Sequence, residues 1–373
     1  MARPDVIVIG AGAIGASIGY QLARAGAKVM IVDRGGVGRE ATGASAGMIM
    51  AAHGPGTPPP LATLSTESAR LFPALAAELN DRTGMDIGYR RLGRLQVAFD
   101  EAGEQQLRAQ RGWDADHGAI VSWLDRSSAL DVEPAVNPSI RAAIFYPDEH
   151  QLLPLALAQA LARAAADLGA IIREGAAIDR LLIEGDRIAG VAVADERIHA
   201  DQVVIANGSW AASWSSTLEL PIPIRPMRGQ LLALRTAGTP LRTVVAAGDR
   251  YALTKPDGST IVGTTVEDVG FDSRPTAAGI ASLLTLAPQL APRLADATFV
   301  GAWAGLRPGT ADGMPLIGRL PGWRGVILAG GHFRNGILLA PITGEVVTDL
   351  VARRRPRVSL EAFDPARFVV RAA

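Results

Sequence analysis

The stretch VIVIGAGAIGASIG, residues 6–19, constrains the fold of this chain more than any other. An apolar, β-branched run enters a glycine turn, and a helical pattern leaves it with Ile14, Ile18 and Leu22 on one face. Gly10, Gly12 and Gly15 stand at G-x-G-x-x-G spacing, and a second buried-strand pattern, KVMIVD, ends in Asp33. Alone the glycine triplet is weak, because Gly is abundant here. Between a strand and a helix, with an acid roughly 20 residues on, it predicts a dinucleotide-binding βαβ unit. Gly10 permits the tight turn, Gly12 lets backbone approach a pyrophosphate, and Gly15 lets the helix pack against the strand. The helix N-terminus offers N–H groups to the phosphates. Asp33 suits a ribose and argues against a 2′-phosphate.

The unit alone does not separate NAD from FAD. The residues after Asp33 do more: RGGVGREATGASAGMI is a loop of small residues where an NAD domain should soon supply a second crossover helix. Such a loop can follow an extended cofactor and close on a flat ring. It also contains GASAG, formally a G-x-S-x-G nucleophile elbow around Ser45. A hydrolase elbow needs a buried strand entering it, and GGVGREAT is not one.

Composition narrows the chemistry. Thirty-seven basic and 37 acidic residues cancel, so no net field favours nucleic acid or an anionic membrane. The run RRRPR at 353–357 reads as a solvated helix end or tail rather than a nucleic-acid patch. There is no cysteine, which excludes disulfides, thiolate nucleophiles, iron–sulfur clusters and any flavin tethered through sulfur. The five histidines are scattered and never paired at helical spacing, so no metal site is expected. The apolar run Val6–Tyr20 is preceded by Asp5, interrupted by glycines and lacks a cleavage pattern, so it is not read as a signal peptide. With no other stretch as long as a membrane span, the expectation is a soluble, cytoplasmic protein that engages no membrane.

At 373 residues, two domains are expected. Segments with buried strands ending in glycine turns alternate with segments of shorter, antiparallel-looking strands. The α/β class has residues 1–84, 148–210 and 300–373; the β-rich class has 85–147 and 211–299. Helices are expected over 64–83, 101–117, 154–168 and 276–292 and after 335, with a short one around 43–52. ADQVVIANGSW is a further buried strand whose turn, Asn207 and Gly208, joins the expected cofactor contacts.

One arginine stands out. In GAWAGLRPGTADGMPLIGR, residues 301–319, Arg307 sits in an apolar, glycine-rich stretch read as a loop, with only Asp312 acidic nearby. Either it meets a ligand carboxylate through two parallel N–H···O bonds, or it pairs with Asp312 or a backbone carbonyl.

Three stretches, ATGASAGMI (41–49), WAGLRPGTADGMPLIGR (303–319) and AGGHFRNGILLAPITG (329–344), together with the fingerprint, make the chain resemble the D-amino-acid oxidase family of flavoenzymes over nearly its whole length. The likeness is greatest to its glycine-oxidase branch, which serves thiamine synthesis. The resemblance implies an α/β fold: a Rossmann-like FAD-binding domain and a mainly antiparallel β substrate domain. It implies non-covalent FAD, oxidation of a small amine beside a carboxylate by hydride transfer to flavin N5, O2 as acceptor, and a homotetramer.

Carried onto this sequence, the cofactor contacts fall on Gly10, Gly12, Ala13, Ile14, Gly15, Asp33 and Arg34. In the small-residue loop they fall on Ala41, Thr42, Ser45, Ala46, Gly47 and Met48, with Ala177 on the adenine side. His332, Phe333, Arg334, Asn335, Gly336, Ile337 and Leu338 are expected around the isoalloxazine. The substrate carboxylate falls on Arg307 and Tyr251, with Arg334 and Met48 also at the substrate; Arg307, Tyr251 and Arg334 form the catalytic set. Two departures bear on substrate choice. Asp249 replaces a histidine of the family, and Val266 stands where a methionine is usual, which is expected to widen the pocket. Alternatives of the same fold are a dehydrogenase that passes electrons to an acceptor other than O2 and a non-catalytic FAD-binding subunit. The Tyr251 and Arg307 clamp argues against the second.

Overall fold

The computed structural model describes residues 3–236, 238 and 241–369. Two large sheets organise it. The first has six strands in the order Leu316–Arg319, Val326–Gly330, Gln202–Ile205, Val6–Ile9, Val29–Val32, Ile171–Arg173. All its neighbours are parallel except the Leu316–Arg319 edge. Alternation along Val6–Ile9 explains why the run is apolar throughout. Val6 and Val8 enter a core shared with helices Ala13–Arg24, Pro154–Asp167 and Gly336–Val351. Ile7 and Ile9 enter a core on the opposite face, shared with the antiparallel strands Arg180–Glu184, Arg187–Val193 and Glu196–His199. The helix Ala13–Arg24 lies close to Gly336–Val351 because Gly344 leaves room: a side chain there would meet Ser17 Oγ at 2.6 Å.

The second sheet has eight strands in the order Thr298–Gly309, Arg225–Arg235, Ser259–Gly263, Arg250–Thr254, Val244–Ala247, Arg94–Ala98, Ala142–Tyr146, Ser122–Leu124. Only the pairing of Val244–Ala247 with Arg94–Ala98 is parallel. Its faces also divide by alternation. Leu232 and Leu234 pack with Leu283, Leu286 and Leu290 of helix Ala277–Leu290. Leu231 and Ala233 point the other way, into a cluster with Tyr251, Leu253 and Ala46, against which Met48 and Trp303 pack. Each such buried leucine contributes roughly 1.5–3 kcal/mol.

Several local expectations change. Residues 43–52 are not helical; they form turns and the short strand Met48–Ile49. Gly43 is pinned there by its N–H to the Gly38 carbonyl, and Gly47 takes a positive φ. The segment 64–83 is not one helix but parts of two, Pro59–Ala69 and Phe72–Thr83. Pro73 lies in the first turn of the second helix, where its missing N–H is tolerated, and so starts a new helix rather than continuing the old one. Arg307 lies on a strand, not a loop. Residues 298–309 pair with 225–235 in the eight-stranded sheet, although their glycines had placed 300–309 with the α/β segments. The basic run follows the end of helix Gly336–Val351 and is exposed, as expected, with surface ion pairs from Arg354 to Asp349 and from Arg357 to Glu67 and Glu345. No helix among the described residues is long and apolar enough to cross a membrane.

Candidate functional site

A cavity of about 490 Å³ runs from the carboxyl ends of the six-stranded sheet to the inner face of the eight-stranded one. The crevice beyond the carboxyl ends of parallel strands is where open α/β sheets bind ligands. Its walls at this end are Ile9 and Gly10, Val32 and Asp33, Ala206 and Asn207, and Gly330, each at the end of a strand.

The glycine turn is built as its sequence demands. Gly10 has φ +106°, and a Cβ there would stand 2.6 Å from the Ala206 carbonyl oxygen. A Cβ on Gly15 would overlap the Gly10 carbonyl, so this residue sets helix-to-turn packing. Gly15 does not line the cavity, unlike the other expected cofactor residues. Gly12 is the helix N-cap and has no side chain to cap it. Thr42 of the small-residue loop reaches across instead, its hydroxyl accepting from Ala13 N–H at 3.0 Å. Asp33 is fixed by backbone: Ala11 N–H donates to Oδ2 and Gly35 N–H to Oδ1, both at 2.8 Å. Arg34 pairs with Glu40 at 2.6 Å and lies 3.8 Å from the ring centre of Trp210. Ser45 Oγ accepts from Gly47 N–H at 3.1 Å, a local turn bond rather than a nucleophile's.

His332 to Leu338 form the opposite wall, at the start of helix Gly336–Val351. His332 Nε2 pairs with Thr343 Oγ1 at 3.1 Å, and burial pushes the imidazole down to about 3, so it is neutral. Phe333 takes φ +47°, a left-handed conformation uncommon outside glycine. It turns the chain sharply before Arg334.

Arg307 and Tyr251 both line the cavity from the eight-stranded sheet. The Arg307 guanidinium donates to Thr264 Oγ1 at 2.6 Å and to the Thr265 carbonyl at 3.2 Å. Among the described residues no carboxylate pairs with it. Asp312 is held by Arg367 at 2.8 Å, so of the two structural roles weighed for Arg307 only the backbone carbonyl applies, and it takes one donor of the fork. Burial lowers the Arg307 pKa, Tyr251 raises it and Arg334 lowers it further, which places all three groups within electrostatic reach. Burial pushes the Tyr251 hydroxyl up to about 12 against the pull of Arg307 and Arg334, so it stays protonated and can donate.

Some features of the wall have no local signal in sequence. Gly229, brought there by strand pairing, forms the floor under Arg307, and Thr264 and Thr265, just beyond strand Ser259–Gly263, hold it. Asp249 pairs with Arg334 at 2.9 Å. At another edge, Arg94 is buried in an ion pair with Glu149 and donates to Gln96 Oε1 at 3.0 Å, beside His53. Burial, then Arg94, lowers His53 to about 4. Val266 does not widen the cavity: it is 41% exposed and outside the wall, because Thr264 takes the inward position.

The residues present fit an extended dinucleotide. The bare turn at Gly10 and Gly12, the fixed carboxylate of Asp33 and the cavity's length supply what such a group needs. A mainly parallel sheet with this turn, joined to a mainly antiparallel sheet bearing an arginine with no carboxylate partner among the described residues, defines a two-sheet flavin-type oxidoreductase. The chain belongs to the FAD dependent oxidoreductase (DAO) family, which matches over residues 5–350. It is 37% identical to glycine oxidase of Geobacillus kaustophilus over 98% of both chains. The crystal structure of that species' glycine oxidase superposes with a TM-score of 0.94 at 35% identity, covering 99% of this chain and 100% of the other. The crystal structure of iminodiacetate oxidase from Chelativorans sp. superposes with a TM-score of 0.90 at 30% identity, covering 96% and 98%. The protein is an FAD-dependent amine oxidase.

Proposed function

We propose that this enzyme oxidatively deaminates glycine and similarly small amines bearing one carboxylate. The observation that carries the reading is Arg307: a half-buried guanidinium on the cavity wall with no carboxylate partner among the described residues. Partial burial weakens the hydration of this cation, and a substrate carboxylate supplies the anion it lacks. Tyr251, kept protonated, is the second donor to that carboxylate. The eight-stranded sheet is the substrate side of the cavity, and the fingerprint, the loop 41–48, Ala177, Asn207, Gly208 and the stretch 332–338 hold the cofactor. With no cysteine in the chain, FAD is held without a thioether bond.

FAD, when bound, would supply the two-electron acceptor for the substrate's α-hydrogen as hydride; the imine would hydrolyse to glyoxylate and ammonia, and O2 would take up the electrons as H2O2. The chain's own task is placement. Arg307 and Tyr251 fix the carboxylate so that the α-carbon's orientation is set before reaction. The cavity-lining groups suit a neutral amine whose lone pair drives the step without a protein base. His53 and His332 are lowered to about 4 and about 3, Tyr251 is raised to about 12, and Asp249 is tied to Arg334.

The test is anaerobic addition of glycine to the purified holoenzyme. Bleaching of the flavin's visible absorbance, then one glyoxylate and one H2O2 per glycine in air, supports the reading. A flavin left oxidised by glycine, sarcosine and small D-amino acids overturns it.

A further inference from the structure

Asp249 and Arg334 are 85 residues apart in sequence, yet close on each other. Arg334 Nη1 lies 2.9 Å from Asp249 Oδ1, and Nη2 donates to Oδ2 at 3.0 Å, so both ends of the guanidinium fork face the carboxylate. Both line the cavity that Arg307 and Tyr251 line. The Arg334 side chain is 36% exposed and that of Asp249 71%, so the pair sits at the mouth rather than in the core. Arg307, deeper in, is satisfied only by a hydroxyl and a carbonyl. The set Arg307, Arg334 and Asp249 therefore carries two positive charges and one negative, a surplus matched by one carboxylate.

We propose that the Asp249–Arg334 ion pair sets the charge class of substrate this site accepts: Asp249 occupies the second arginine, so amines with one acidic group are taken and amines with two are disfavoured. This rests on the reading of Arg307 as the carboxylate clamp. A second acidic group would meet the Asp249 carboxylate and find the Arg334 fork filled. Removing the Asp249 charge opens that fork to a second anion and removes the repulsion. Arg250, also on the wall and exposed, is the same in every variant and cancels from the comparison. Asp249 is thus a specificity residue acting through Arg334, not a group that does chemistry.

The test uses the holoenzyme and needs no turnover. Acetate is titrated against malonate, succinate and glutarate, and dissociation constants are read from the perturbed flavin spectrum. The wild type, Asp249→Asn, and Asp249→Asn with Arg334→Gln are compared. The expected result is a gain of about tenfold in the best dicarboxylate-to-acetate affinity ratio for Asp249→Asn, as one new charge-assisted interaction gives. The double variant is expected to return to the wild-type ratio. An unchanged ratio in the single variant, or a gain that survives loss of Arg334, overturns the proposal while acetate binding leaves the Arg307 reading intact. Acetate that does not perturb the wild-type flavin overturns both.

Discussion

Arg307 lies over Gly229, its diagonal neighbour on the next strand, so the guanidinium rests on a floor with no side chain in it. Met227 is directly opposite Arg307 in the register, and Gly229 is opposite Gly305. Diagonal positions on one face of an antiparallel pair are within reach of a long side chain. A Cβ on Gly229 would overlap the Arg307 guanidinium.

Gly229→Ala follows from this contact. The overlapped atoms are the far end of a flexible side chain, so the fold accommodates the methyl while the guanidinium leaves Thr264 and Thr265. The expected outcome is a thermal midpoint close to wild type, FAD retained, and KM for glycine raised by at least about tenfold, as for losing one charge-assisted bond. Steady-state kinetics beside a melt check it, and an unchanged KM removes Gly229 from the site.

Arg307→Ala removes two charge-assisted bonds to the substrate, each worth about 1.5–3 kcal/mol. The expected loss in kcat/KM is therefore roughly 10²- to 10⁴-fold, with the flavin spectrum preserved. Arg307→Lys keeps the charge without the fork and is expected to recover only part of the loss. Wild-type kinetics from the alanine variant would contradict the assignment.

How much of this was legible before the fold follows from the range of each interaction. The glycine turn at Gly10, Gly12 and Gly15 and the final turn and helix from His332 are short-range patterns, and the chain spells them out locally. Arg307 was legible as chemistry, an arginine short of nearby acids, but not as a strand residue. Its floor at Gly229 and its partners Thr264 and Thr265 depend on the pairing of strands 225–235, 259–263 and 298–309. Nothing within a few residues of Asp249 announces that Arg334 will reach it. The small residues at 43–52 suited a helix by size, yet Gly43 and Gly47 serve turns.

Gly15→Ala tests the cofactor end. Its Cβ would overlap the Gly10 carbonyl, which is backbone and cannot swing away. The helix must shift off the turn, so the variant is expected to lose several degrees of thermal midpoint and most of its bound FAD. FAD released on denaturation, counted per chain by fluorescence, checks this, and full occupancy would contradict the fingerprint's role.

Stability should also fall in acid. Burial lowers His332 to about 3 and His53 and His150 to about 4, while each titrates near 6.5 when unfolded. Between those values the unfolded chain binds more protons than the folded one, so stability rises with pH. The expected result is full histidine-linked stability above about pH 6.5, lost progressively as pH falls toward about 4. His332→Gln is expected to flatten part of that slope in melts across the window. An unaltered slope would mean that His332 does not titrate with unfolding.

The most direct measurement is a crystal structure of the holoenzyme soaked with acetate, the glycine skeleton without its amine. The account predicts the acetate oxygens within hydrogen-bond distance of the Arg307 guanidinium and the Tyr251 hydroxyl, beside the flavin ring. Acetate bound elsewhere while Arg307 keeps only Thr264 and Thr265 would contradict it.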